Sequence, residues 1–350
     1  MTQKNETLTL VASFLVTLSI LCGGLWWLFQ TRQNNIVQTE TNHEHSPFSQ
    51  GLPDAPNTFN AVKNIPSGLF NYSGSRNWRP IQESIDPIIR QTYPDFRLRY
   101  QTPREEGISS SQGIEMLFAD QLAFALSSRP PQQEELDAAQ VQGYDLKAIP
   151  VAIDGIAIAV NPNLEVSGLT IAQLQDIYTG RITNWQNVGG PNLRIIPYSS
   201  ATSQEEMKVF FSKQVLKGEN WGSNVQAIIN NTSPLRTVAQ TSGAIYYGLA
   251  SEIVPQCTVK ILPIGQEADQ LTPPYEPPAV SETACRQQGQ RNRLNVTAFQ
   301  RRNYPLTQRL FVVVKANGSS DQQAGETYAK LLLTQQGQDL IRSSGFANIR

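Results

Sequence analysis

The sequence predicts an α/β protein of two lobes behind an apolar amino-terminal span. Three observations carry that prediction. Strand-like and helix-like stretches alternate from Leu69 to the carboxyl end, the pattern of largely parallel sheets. The alternation lasts for roughly 290 residues, more than one hydrophobic core usually serves. Leu8 to Phe29 holds no charged residue and is dominated by Leu, Val, Ile, Phe and Trp.

As a helix, the apolar span would rise roughly 33 Å, enough to cross a bilayer core of about 30 Å. Residues 8–29 therefore read as a transmembrane anchor. A cleavable signal wants small residues at its cleavage site, and "CGGLWWLFQTR" offers them only inside the apolar run. Cys22 suggests a lipoprotein signal, but Leu21 stands where a small residue is wanted. Residues 30–66 are polar, lack apolar periodicity and contain "SPFSQGLPDAPN", so they read as a disordered tether.

Beyond the tether, "LFNYSG" is a short strand. In "NWRPIQESIDPIIRQTY", Trp78, Ile81, Ile85 and Ile88/Ile89 recur at helical spacing. "FRLRYQT" alternates with period two, "SSSQGIEMLFAD" opens a helix on hydroxyls, and "QLAFALSS" is a third strand. "PPQQEELDAAQ" is a short helix with Pro near its first turn. "YDLKAIPVAIDGIAIAVNP" is apolar enough to be buried on both faces. The second half repeats the theme: a helix "LTIAQLQDIYTG" closed by Gly180, a strand "LRIIPYS" and a helix "SQEEMKVFFSKQVL". Then come a helix in "SPLRTVAQT" and strands in "GAIYYGLAS" and "TVKILPI". A Pro-rich excursion follows, longer than an ordinary connection. The chain ends on a strand "LTQRLFVVVK" and one long helix from Asp321 to Ser344.

Composition narrows the function. There are 28 Lys and Arg against 29 Asp and Glu. The locally basic "RQQGQRNRLN" and "QRRNY" lack the interleaved aromatics of a nucleic-acid platform and read as solvated loops. Both histidines, His43 and His45, fall in the tether. The domain thus has no His-based triad or His-ligated zinc, and no Walker A, G-x-S-x-G or G-x-G-x-x-G sequence appears. The chain reads as no enzyme, with no metal site and no cofactor. Cys257 and Cys285, an even pair outside the span, read as one disulfide in an oxidising compartment, with two buried free thiols as the alternative. Closing that loop would contribute roughly 3–4 kcal/mol in the chain-entropy model.

What recurs is a strand leading into a hydroxyl-rich turn: "NYSGSRNW", "FALSSRPP" and "PYSSATSQEE", with a fourth cluster in "GISSSQGIEM". Helix starts expose N–H groups and the positive end of the macrodipole, so they favour anions. In parallel α/β sheets such turns gather at the carboxyl edges of the strands. The alternative for the third turn is a capping box, Ser203 to Glu206, serving only its own helix. There Glu205 and Glu206 would repel an anion. Arg76 and Arg129 are possible ligands or plain surface residues.

As a set, "AIDGIAIAVNPNLEVSGLTIAQLQDIYTGRITNWQNVGG", "GAIYYGLASE", "YPLTQRLFVVVK" and "FALSSRPP" resemble the periplasmic phosphate-binding proteins, the substrate-binding subunits of phosphate ABC transporters. The resemblance covers roughly Leu69 to Arg350. It implies a two-lobed Venus-flytrap (type II) fold, with residues 67–154 and 300–350 in lobe I, 155–264 in lobe II and 265–299 as the excursion. It implies ligand contacts from Ser73, Gly74 and Ser75, from Ser127 and Ser128, from Asp154, and from Ser199, Thr202 and Ser203 in the third loop. That loop departs from the family's R-S-x-G-S-G-T. Tyr198 replaces the arginine, Ala201 and Ser203 the glycines, and Gln204 the threonine. Glycine admits close backbone approach and arginine grips phosphate bidentately. The implied protein is a membrane-tethered extracytoplasmic binder of phosphate or a similar oxyanion, partnered by an ABC permease. The rival is a membrane-anchored sensor or adaptor with altered or lost ligand binding.

Overall fold

The computed structural model describes residues 56–102, 109–200, 205–228 and 234–349. The expected anchor, most of the tether, Thr202 and Ser203 lie outside the described residues. Among the described residues no helix is long and apolar enough to cross a membrane.

The strands are β1 (Gly68–Gly74), β2 (Phe96–Tyr100), β3 (Phe124–Ser127), β4 (Asp145–Val160), β5 (Leu169–Thr170), β6 (Ile196–Ser200), β7 (Gln226–Ile228), β8 (Ala244–Leu249), β9 (Lys260–Leu262), β10 (Ile264–Gly265) and β11 (Thr307–Ala316). The helices are α1 (Arg79–Thr92), α2 (Ser110–Phe118), α3 (Gln133–Val141), α4 (Ile171–Thr179), α5 (Glu205–Phe211), α6 (Pro234–Gln240), α7 (Ala250–Ile253), α8 (Glu282–Gln287), α9 (Val296–Gln300), α10 (Ser320–Leu332) and α11 (Gln335–Ser343).

Among the described residues nine strands join one sheet in the order β2-β1-β3-β11-β4-β8-β6-β7, with β9 also on β4. At each end the pairing is parallel, as the strand–helix alternation predicts: β1 with β2 and β3, and β6 with β7 and β8. The middle differs. The strands β4 and β11 run antiparallel to each other, and β4 is antiparallel to β8. They are the two crossings between lobes, so they do not follow the strand–helix–strand rule that makes neighbours parallel.

The 16 residues of β4 serve two cores. Ile149, Val151 and Ala152 pack with Phe70, Trp78, Ile85, Phe124, Leu310 and Tyr328, while Leu146 and Ala148 pack on a small cluster of Ile114, Leu117 and Val313. From Ile153 onward they pack with Tyr178, Trp185, Phe211, Ile245 and Tyr247. The change of core falls between Ala152 and Ile153, just before Gly155, where a side chain would place Cβ 2.2 Å from the Leu306 carbonyl oxygen. In the first core a buried carboxylate, Asp86, accepts hydrogen bonds from the Tyr72 and Tyr328 hydroxyls, so its burial is compensated; burial still raises its pKa.

Two elements differ from expectation. The terminal helix is two helices, because the Thr334 hydroxyl turns back to accept the Gly337 N–H at 3.0 Å and starts α11 afresh. The Pro-rich excursion is partly structured. It carries α8 and α9, and Leu294, Ala298 and Phe299 enter the second core. Cys257 and Cys285 form a disulfide with Cα atoms 5.6 Å apart, which resolves the choice between bridge and free thiols.

Candidate functional site: a serine cradle at the strand ends

The carboxyl ends of β1 and β3 lie side by side, with Gly74 opposite Leu126. A Cβ on Gly74 would stand 2.0 Å from the Leu126 carbonyl oxygen, and its φ is +140°. Only glycine fits that close, left-handed passage. Gly113 on α2 is bound in the same way, since its Cβ would meet the Gly74 Cα at 2.8 Å. Two glycines thus let the first turn of α2 close over the strand ends and bring its N–H groups to the serine loops.

Ser75 and Ser128 leave those strand ends with their hydroxyls 2.7 Å apart and nearly excluded from solvent. Ser110 completes the group: its hydroxyl accepts the Ser128 N–H at 2.9 Å. Asn77 donates its side-chain amide to the Ser128 hydroxyl at 3.3 Å. Trp78, fully buried, donates its indole N–H to the Ser127 carbonyl at 3.1 Å and fixes the loop from behind.

Into this cradle comes the carboxylate of Glu206, from α5 of the second lobe. It accepts from the Ser75 hydroxyl at 2.5 Å, from the Ser128 hydroxyl at 3.0 Å, and from the Ser110 backbone N–H at the start of α2. Each hydroxyl has one proton to give, so the Ser75–Ser128 contact and the two contacts to the carboxylate share them. The result is an oxyanion held by hydroxyls and a helix N-terminus, with no cation in contact among the described residues. Such a group can hold any compact oxyanion of similar reach.

The other residues expected at the site have different partners. The Ser73 hydroxyl donates to the Gln101 carbonyl at 2.6 Å, and that of Ser127 to the Arg129 carbonyl at 2.5 Å. Ser199 shares a hydrogen bond of 2.8 Å with the Tyr247 hydroxyl, whose ring stacks on Phe211 with centroids 4.0 Å apart. Arg129 is held bidentately by Glu135 at 2.7 and 2.8 Å and reaches the Ser111 hydroxyl; Arg76 is exposed at the cleft wall. Asp154 is fully buried at the crossing and accepts from the Gly155 N–H at 2.8 Å, the Ser251 N–H at 3.1 Å and the Ser251 hydroxyl at 2.7 Å. Burial pushes its carboxyl up to about 7, against the lowering effect of those donors.

Sequence reasoning missed Asn77 and Glu206 as members of the group, and it gave Ser110 only as part of a hydroxyl cluster. The carboxylate of Glu206 reaches across the cleft and is attracted by the cradle that was expected to hold an anion it would repel; Ser203, the other half of the expected capping box, lies outside the described residues.

A family model described as a PBP superfamily domain matches residues 66–336. "Phosphate-binding protein PstS" of Bacillus subtilis (strain 168) is 28% identical over 188 residues, 52% of this chain and 57% of that protein. The protein of the same name from Staphylococcus epidermidis (strain ATCC 12228) is 24% identical over 277 residues, 77% of this chain and 76% of its own length. Among solved structures, an ABC-type phosphate transport receptor from Vibrio cholerae aligns with TM-score 0.61 and 19% identity over 79% of this chain and 99% of its own. A putative phosphate ABC transporter substrate-binding protein from Clostridium perfringens, with bound phosphate, aligns with TM-score 0.58 and 23% identity over 81% and 100%. At these identities the likeness to the solved structures is one of fold.

Proposed function

The chain belongs to the PBP superfamily, and from that premise we propose that it is an extracytoplasmic solute-binding protein that holds phosphate or a similar oxyanion between its lobes and delivers it to an ABC permease. The observation that carries this reading is the cradle of Ser75, Ser110 and Ser128, which already holds an oxyanion in the form of the Glu206 carboxylate. Hydrogen bonds to a charged group contribute about 1.5–3 kcal/mol each. Three or four of them reach the roughly 8 kcal/mol that micromolar binding requires. The mechanism is binding with closure of the lobes about β4 and β11, and no bond is made or broken.

We take residues 67–154 with 300–350 as lobe I, 155–264 as lobe II and 265–299 as an excursion. The change from one core to the other within β4 supports a division near Asp154, with Tyr304, Leu306 and Ala347 of the carboxyl-terminal segment packing in the second core. The uncharged run from Leu8 to Phe29 supports a membrane anchor, and the disulfide supports an oxidising compartment outside the cytoplasm.

The test is a titration of the full-length chain, solubilised in mild detergent, with orthophosphate, arsenate and sulfate. Tryptophan fluorescence follows binding, since Trp78 backs the Ser127–Ser128 loop, and calorimetry gives the heat. Saturable phosphate binding at micromolar or lower concentration supports the reading. Silence toward all three anions removes it and leaves a sensor or adaptor role.

A further inference from the structure

The cleft is larger and more basic than the cradle needs. It encloses about 1650 Å³, above the usual 300–1,000 Å³ of a small-molecule pocket. Its lining runs from Ser128 and Glu206 at the cradle to Arg302 and Arg309 beside the lobe crossing. The strand β11 places Arg309 opposite Ile153 on β4, next to the Gln308–Asp154 pair at the crossing itself.

Among the described residues neither Arg302 nor Arg309 takes part in an ion pair. Arg129 near the cradle is satisfied by Glu135, and Arg76 stands exposed beside Ser75 on the same cleft wall. The acid that faces the cleft from α5, Glu206, has its oxygens on the serines. Arg309 is half-buried, and burial, with the nearby charge of Arg302 adding to it, lowers its pKa. Arg302 sits at φ +58°, a left-handed backbone that an arginine seldom adopts. Two like charges brought together in a partly desolvated wall are unfavourable alone and favourable around an anion.

We propose that Arg302 and Arg309 form a second anion subsite, so that the cleft accommodates a phosphate bearing a further anionic group, a pyrophosphate-like ligand, with one group on the serine cradle and the other on the guanidinium pair. This rests on the oxyanion-binding reading of the cradle. The paired guanidiniums supply forked donors to the far group, and both places line the same cleft.

The experiment is calorimetry on the full-length solubilised chain with orthophosphate and with pyrophosphate, singly and in competition, for wild type, Arg309→Gln and Arg302→Gln. Wild type is expected to bind pyrophosphate about tenfold or more tightly than orthophosphate, the two competing, as one added charge-assisted contact implies. Each substitution should weaken pyrophosphate about tenfold while orthophosphate stays within about twofold. Arg302 is exposed, so its variant keeps the test intact even where Arg309→Gln disturbs folding. The subsite is overturned by pyrophosphate binding no tighter than orthophosphate, or by variants that move both ligands alike or neither. Orthophosphate binding without a pyrophosphate preference leaves the cradle standing and removes only the subsite. Failure to bind either anion removes both. Pyrophosphate binding without measurable orthophosphate binding supports the subsite and removes orthophosphate as the cargo.

Discussion

At Ser75, Ser110 and Ser128 a carboxylate and a phosphate ask for the same thing, short donors aimed at a compact negative group. Glu206 supplies the carboxylate from within the molecule, so an incoming anion must displace it. Glu206→Gln keeps the size but removes the charge, and orthophosphate affinity measured by calorimetry is expected to rise by about tenfold, the equivalent of roughly 1.4 kcal/mol. A fall in affinity would instead make Glu206 an acceptor for a protonated anion. Ser128→Ala removes a hydroxyl from the centre of the cradle, and binding should weaken by about 1–3 kcal/mol in the same assay. Ser75 and Ser128 were legible in the sequence because each follows a strand in a hydroxyl-rich turn. Glu206 was not, since its contact with Ser75 spans 131 residues, and the local pattern Ser203 to Glu206 offers a nearer explanation. Arg302 and Arg309 escaped for a related reason: "QRRNY", with Arg302, reads as a solvated loop, and Arg309 reads only as one residue of the strand "LTQRLFVVVK" until that strand lines the cleft wall.

The crossing strands join the two lobes, and Asp154 is their buried charge. Its carboxyl stands near 7 in the folded protein against an ordinary 3.8. Between those values the folded chain keeps a proton that the unfolded chain has lost, so stability falls as pH rises through that window and levels off above about 7. The full contribution is at most about 4 kcal/mol. Denaturant unfolding between pH 4 and pH 8 should show this decline, and Asp154→Asn should flatten it. An unchanged slope in the variant would assign the pH dependence to other groups, Asp86 first, whose pKa burial also raises. Most elements follow directly from hydrophobic period and end signals, as at α4, which stops at Gly180 with φ +86°. The antiparallel middle of the sheet does not, because strand direction at a crossing depends on which lobe the chain enters next and no local period records that.

On the scale of the whole molecule, two cores share β4 and little else of their interiors, so perturbing one should leave the other standing. The disulfide makes that separable. It ties the segment after α7 to α8, and Leu294 and Phe299 further along the same excursion are buried in the second core. Breaking it releases a loop of 28 residues, which the chain-entropy model values at roughly 3–4 kcal/mol. In the double variant Cys257→Ser/Cys285→Ser, hydrogen exchange should therefore speed up across Tyr178, Ile245 and Leu262 in the second core. Protection at Phe70, Phe124 and Val312 in the first core should hardly change. The cradle donors Ser75, Ser110 and Ser128 all belong to the first lobe, while Glu206 comes from the second. Loosening the second core alone should then weaken the grip of Glu206 more than the donors it occupies. Anion binding by the double variant is expected to persist, with affinity equal to or above that of the oxidised protein. Loss of binding together with loss of protection in both cores would mean that the two lobes unfold as one unit, and that closure depends on the disulfide as much as on the crossing strands.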